Sequence, residues 1–412
     1  MRRSLTFSLT SAIIVMAVAR PTLQAPAEVV APARVDYLAF AKGAMPIRVA
    51  GSGAQLGAGE EQALRTVDGN PAPFTVATAA RADTVTEFVY ELPALTTFDR
   101  FAVPDVLESV ATTSTFVRSV EVLGSVVSPD AGFTTLASAA LTPHTKRGEW
   151  TELTLVDPLA VRWVRLRLTG GLDMAKGETN VQFTELVGNG MQEPPSPTFR
   201  FRGDWGSGTG FMAFKQLGSA VSGCFDVAGE LQGTVSANIL RAVGMNRTDK
   251  VRSAFVLGVA ADGTLRGVRA VGMAPFRPYI APKNSPGLPP RCSPAPVTLA
   301  CGAVVHAVGF APDSADLVPD PSGALASLAE ALRREPARLI VVEAHVSATD
   351  GTPLANLALS ERRAQAVVSE LVRLGMPADR VRAVGVGSAR PIATSEDEAG
   401  RAINRRVEIH CS

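Results

Sequence analysis

Apolar and polar positions divide the chain into three rhythms. Through residues 35–190 they come in short bursts of strand length. "TEFVYEL" (86–92), "FDRFAVP" (98–104), "RSVEVLGSV" (118–126), "WTELTLV" (150–156) and "VRWVRLRLTG" (161–170) alternate or run apolar between Asp, Gly and Pro clusters. Many short strands without helices predict an all-β jelly-roll sandwich. Through 198–282 short strands are cut by Gly turns, as in "GFMAFKQLG" and "GELQGTVSANIL", predicting a small antiparallel β domain or meander. The "GSGTGF" stretch (206–211) lacks the Lys-Ser/Thr of a phosphate loop and reads as a hairpin turn.

From 297 onward the period changes to alternating strand and helix. "VVHAVGF" (304–310), "RLIVVEAHV" (338–346), "RVRAVGVG" (380–387) and "RRVEIHC" (405–411) read as strands. "SGALASLAEALRRE" (322–335) puts Leu325, Leu328 and Leu332 on one helical face. "SERRAQAVVSELVRLG" (360–375) reads as a second helix, N-capped by Ser360 and closed by Gly375. Its buried stripe is Ala364, Val367, Val368, Leu371 and Leu374. On the wheel Arg362 points away from that stripe. Arg363 lies at its edge, in the first turn, where it can bury its stem and present its guanidinium beside the preceding loop. A guanidinium fork near exposed helix N–H groups suits a carboxylate. This segment therefore predicts a C-terminal α/β sandwich of ordinary domain size.

Two proline-rich seams, 191–199 and 278–296, separate these rhythms, with 283–296 read as the linker before the last domain. The N-terminus adds a short positive start and an apolar run, "LTFSLTSAIIVMAVA" (5–19), too short to span a bilayer and read as a secretory signal within 1–27. The formal net charge is +1 and aromatics are 6%, which removes the case for nucleic-acid binding and weakens any stacking platform. The 4 cysteines (Cys224, Cys292, Cys301, Cys411) suggest disulfides in an exported chain and allow three pairings. None has the close spacing of a zinc site, and the four histidines are scattered. No nucleophile–base–acid set and no nucleophile elbow is evident, so the expectation is a protein that is not an enzyme.

The order "VDGNPAPF" (67–74), "YELP" (90–93), "VEVLGS" (120–125), "WTELTL", "VRWVRLRLTG" and "FTELVG" (183–188) resembles the discoidin, or coagulation-factor C-type, galactose-binding-like jelly roll across 35–190. That resemblance implies glycan binding and a structural calcium held by Asp68, Asn70 and Glu185, hard oxygen ligands of the kind calcium takes. Read from the residues alone, "DGN" is a turn. The family's usual Trp after this turn is Phe74 here, and no aromatic sugar platform is evident.

A second resemblance covers 297–412. "FAPDSADLVPD" (310–320), "IVVEAHV" (340–346), the spaced run Gly351…Asn356-x-x-Leu359-Ser360-x-x-Arg363-Ala364-x-x-Val367, "GVGSARPI" (385–392) and "NRRVEIHC" (404–411) occur in order. This resembles the OmpA-like peptidoglycan-binding domain. It implies that Arg363 grips a carboxylate of the peptide stem, typically diaminopimelate, in a pocket shaped by Asn356 and Leu359. The family's aspartate, which meets the peptide's amino group, is missing. Counting back from Gly351 reaches Ala348, and counting forward from His345 reaches Ser347, so the loop "HVSATDG" holds one extra residue and Asp350 is its only carboxylate. The family's fold places the first and last strands side by side, which implies a Cys301–Cys411 bridge and leaves Cys224 with Cys292.

The function expected is an exported cell-envelope protein, periplasmic and adjoining the outer membrane. It anchors non-covalently to peptidoglycan, with the β domains left to meet a glycan or an envelope protein. The competing expectation is a secreted glycan-binding adhesive protein whose OmpA-like domain is degenerate. Neither requires a cofactor, and calcium is the one ion that the first resemblance adds.

Overall fold

The computed structural model describes residues 34–412 apart from 109, 157, 175–176, 197–199, 208–209, 227, 285–291, 312, 319–322, 337–338 and 349–350. The expected signal segment, part of the second seam and Asp350 thus lie outside the described residues. Those described form three strand-rich layers gathered into one unit.

The first layer is the expected all-β sandwich. Its long strand, Val85–Pro104, joins what the sequence presents as two strands. The register shifts between Glu91 and Thr96, around Pro93, which has no N–H to give a ladder. The near half of this strand pairs with Met45–Ala50 and the far half with Val187–Gln192. Ala160–Gly171 and Ser114–Ser125 extend the sheet. Phe74–Ala80 and Thr179–Phe183 pair with each other, and the latter also runs parallel to the start of Ser114–Ser125. Phe88, Tyr90, Phe101, Phe116 and Phe183 fill the interior. A short helix, Glu60–Arg65, is an addition to the helix-free expectation.

The second layer is an eight-stranded antiparallel meander running in strict chain order from Gly203–Ser207 to Arg277–Ala281. Trp205, Phe214, Phe225 and Phe255 pack within it. The Gly-rich 206–211 stretch is indeed a hairpin, with Ser207 paired to Gly210. Cys224 is bonded to Cys292.

The third layer is the α/β sandwich. Its sheet order is Val304–Val305, Arg406–Cys411, Ile340–His345, Val381–Gly387. Only the last pair is parallel, and the helix Pro353–Arg373 makes the crossover between its strands. That helix and Ala324–Arg334 cover one sheet face, burying Leu328, Leu332, Ala364, Val367 and Leu371 against Val305, Val342 and Ile409. The expected strand over 304–310 is ordered as a strand only at its first two residues. A short helix, Glu398–Asn404, precedes the last strand and is absent from the sequence expectation. Cys301 and Cys411 form the expected bridge across the sheet edge, Cα–Cα 5.6 Å.

Candidate functional site

The helix carrying Arg363 starts earlier than the sequence pattern suggests. Thr352 is its N-cap, accepting the Ala355 N–H at 3.3 Å, and Pro353 follows at the first helical position. Ser360 is therefore not the cap. It sits two turns in, donating to the Leu357 carbonyl at 2.8 Å and accepting the Gly387 N–H at 2.8 Å. This corrects the argument for Arg363 as well, because in the third turn it no longer adjoins the exposed N–H groups of a helix start. The C-terminal reading holds: Gly375 has φ +96° and Met376 N–H reaches the Leu371 carbonyl, a Schellman closure.

Arg363 is placed by its contacts instead. It is 8% exposed, whereas Arg362 is exposed. Its Nε donates to the Ser314 carbonyl at 2.9 Å, and its guanidinium lies 4.8 Å from the centroid of Phe310. Both partners come from the "FAPDSAD" loop. Arg363 and Leu359 line one cavity of about 950 Å³.

Asn356 and Ser347 stand behind this wall rather than in it. Asn356 is 1% exposed and its Nδ2 reaches the carbonyls of Ser347 (3.3 Å) and Gly351 (3.1 Å) and the Ser388 hydroxyl (3.2 Å). It therefore ties Ser347 and Gly351 to the helix. Ser347 is fully buried, with its hydroxyl on that of Ser395 at 3.3 Å.

The far wall of the cavity belongs to the first β domain: Asp36, Lys42, Arg100, Trp150 and Glu185 line it. The Glu398–Asn404 helix supplies Glu398 and Arg401, and Arg405 follows at its C-cap. These were missed in the sequence. A signal was present, since Asp397 followed by Glu398 marks a helix start, and Asp397 does accept the Gly400 N–H at 2.7 Å.

The structure brings Asp68 and Glu185 into electrostatic reach of each other and adds Asp36. Burial raises the Asp36 carboxyl to about 7, against N–H bonds from Gly188 and Leu38. Burial likewise takes Asp68 to about 7. Glu185 is held well above the carboxylate range by burial first, then by the charges of Asp36 and Asp68. Its Oε1 is buried with no hydrogen-bond partner. Burial alone would raise Glu398 too, but Arg405, Lys42 and Arg401 together hold it low. Lys42 falls to about 8 by burial.

Such a trio is neutralised by protons or by cations, and Arg65 beside Asp68 and Arg401 beside Glu185 already supply some positive charge. The calcium set fits it only in part. Asp68 Oδ1 accepts the Asn70 N–H at 2.9 Å and Asn70 Oδ1 accepts the Ala72 N–H at 3.0 Å, so both oxygens already close the turn. Gly69 within that turn has φ +80°, and a Cβ there would lie 2.3 Å from the Glu398 side chain. The turn is thus pressed against the third layer. Elsewhere among the described residues, Glu343, Glu408 and His410 cluster with possible ligand atoms together. Arg390 at 3.0 Å and Arg406 at 2.6 Å already pair those two carboxylates.

The sequence profile of the OmpA family matches residues 309–405, and this segment is an OmpA-like domain. Among curated relatives, the probable lipoprotein YiaD of Escherichia coli (strain K12) is 39% identical over 105 residues, 26% of this chain and 48% of its own. The peptidoglycan-binding protein ArfA of Mycobacterium tuberculosis (strain ATCC 25618 / H37Rv) is 35% identical over 128 residues, 31% of this chain and 39% of its own. The chain thus spans under half the length of each of these relatives. Among solved structures, CBM32-3 from a family 31 glycoside hydrolase of Clostridium perfringens is 12% identical, covering 37% of this chain and 93% of its own, with a TM-score of 0.27.

Proposed function

We propose that the protein is an exported, non-enzymatic component of the cell envelope that anchors to peptidoglycan through its OmpA-like domain, Arg363 gripping a carboxylate of the peptide stem. The observation that carries this reading is the posture of Arg363. One face of its guanidinium is packed on Phe310 and its Nε is tied to Ser314, so the fork is pre-oriented at the wall of a cavity. A pre-oriented fork loses little entropy on meeting a carboxylate. The match to the OmpA family and the peptidoglycan-binding relative support the choice of ligand.

Retention of the full chain on purified sacculi tests it. Replacing Arg363 with Ala removes a charge-assisted bidentate contact, about 2 kcal/mol or more, and so lowers affinity more than tenfold. Arg362→Ala, on the exposed face, leaves retention unchanged. Circular dichroism on both variants separates lost binding from lost folding. Equal retention of wild type and folded Arg363→Ala would sink the assignment and bring forward a glycan-binding adhesive role for the β domains.

A further inference from the structure

The cavity beside Arg363 is not a property of the OmpA-like domain alone. The first β domain lines it too, and one oxygen there is unmet: the Glu185 carboxyl takes the Gly69 N–H and lies near Arg401, yet its Oε1 is bare. Glu185 is 4% exposed and its Oε1 has no hydrogen-bond partner. Asp36, on the same wall, offers Oδ1 to the N–H groups of Leu38 (3.0 Å) and Gly188 (2.9 Å). An oxygen left bare in a buried site costs free energy until a donor arrives.

We propose that the first β domain completes the peptidoglycan site, with Glu185, flanked by Asp36, receiving the ammonium group of the same stem residue whose carboxylate Arg363 holds. This rests on the reading of Arg363 given above. The stem residue is thereby a zwitterionic diamino acid, its carboxylate met by Arg363 and its ammonium by Glu185 and Asp36. The assignment also accounts for the loop that lacks the usual aspartate: the acid comes from a segment well over a hundred residues earlier in the chain. Calcium is the weaker occupant. It takes six to eight oxygens, and Asp68 and Asn70 each already spend an oxygen on the turn. A cavity of about 950 Å³ is also far larger than an ion needs and suits an organic ligand. Asp36 near 7 and Glu185 well above the usual range agree with carboxyls that ionise fully only when a cation joins them.

The test uses the full chain and two soluble probes. One is a disaccharide–tripeptide ending in diaminopimelate with its amine free, and the other is the same molecule with that amine acetylated. Titration calorimetry on the wild type should show the acetylated probe binding at least fivefold more weakly. Glu185→Gln should weaken the free-amine probe by a similar factor and erase the difference between probes. Asp36→Asn, which keeps an acceptor for its two N–H donors, provides the same reading should Glu185→Gln fail to fold. Equal affinity of the wild type for both probes overturns the proposal. So does discrimination that survives Glu185→Gln, or Asp36→Asn in its place, and falls with Asp350→Asn, which would hand the amine to the 347–351 loop. A calcium-dependent rise in melting temperature that needs Glu185, with no discrimination between probes, also overturns it. Arg363→Ala reports separately: if it keeps wild-type affinity for both probes, the anchoring function itself fails.

Discussion

Asp36 is half-buried and its two N–H donors do not offset the loss of water, so its carboxyl ionises near pH 7. An unfolded chain releases that proton near pH 4. Between those values the native state holds more protons than the unfolded state, so this group's contribution to stability falls as pH rises. His306, pushed down to about 3 by burial, works the other way: below about 6.5 the unfolded chain takes up a proton that the folded state refuses. The two trends overlap, so the useful quantity is a difference. The stability of the wild type relative to Asp36→Asn, from urea melts at several pH values, should decline from pH 4 to pH 7 and level off above. A flat difference would show that Asp36 is well solvated in the native state. At this scale the sequence was legible in one place and silent in another. That Arg363 is buried and Arg362 exposed follows from a helical wheel, because it depends only on neighbours a turn away. The acids of the far wall do not, because Asp36 meets Gly188 across 152 residues and no local pattern encodes that contact.

The helix Pro353–Arg373 shows why element boundaries resist a pattern. Its first two turns carry Leu354, 78% exposed, and Leu357, 46% exposed, so the apolar positions there do not mark the buried face. Thr352-Pro353 was the available signal. What fixes the helix against the sheet is a glycine. A Cβ on Gly385 would lie 2.3 Å from the Glu361 backbone nitrogen, too close for any side chain to relieve by rotating. The Gly385 N–H also donates to Glu361 Oε2 at 2.6 Å, tying the strand to the same turn of helix. Gly385→Ala should therefore push the helix outward. The expected cost is about 1–3 kcal/mol, the range for overpacking a filled interior. Because Arg363 lies half a turn beyond Glu361, the variant should also weaken retention on sacculi while the domain stays folded. A melting curve and a retention assay on the same preparation check both. Unchanged melting with unchanged retention would mean that helix and strand can part without consequence.

The three sequence rhythms suggested three bodies strung on proline-rich linkers, and the whole molecule is joined more closely than that. Carbonyls in the second seam bond to the meander: Lys215 Nζ donates to the Pro294 carbonyl at 2.9 Å and Ser222 to the Ala295 carbonyl at 2.6 Å. Proline gives no N–H but its carbonyl still accepts, so a proline-rich composition does not keep a segment off a surface. The largest apolar core contains residues from all three layers, with Phe88 and Phe183 of the first, Val256 and Val268 of the second, and Ile392, Ala399 and Ile403 of the third. Arg266 of the meander, its side chain 4% exposed, pairs with Glu60 of the first layer at 2.9 Å. Bodies that share one core lose it together, so unfolding should be a single calorimetric transition whose van't Hoff and calorimetric enthalpies agree. Ile403→Ala sharpens the forecast. Ile403 is fully buried in a seven-residue helix of the third layer, and its truncation should cost about 2–5 kcal/mol. The tryptophans, Trp150, Trp163 and Trp205, all lie in the first two layers. If the core is cooperative, the fluorescence melt of those tryptophans must move down with Ile403→Ala although none belongs to the layer that was changed. A fluorescence melt that stays at the wild-type temperature while far-UV circular dichroism shows an early helical loss would mean that the OmpA-like domain unfolds by itself. The cavity between it and the first domain would then be a hinge rather than a fixed wall.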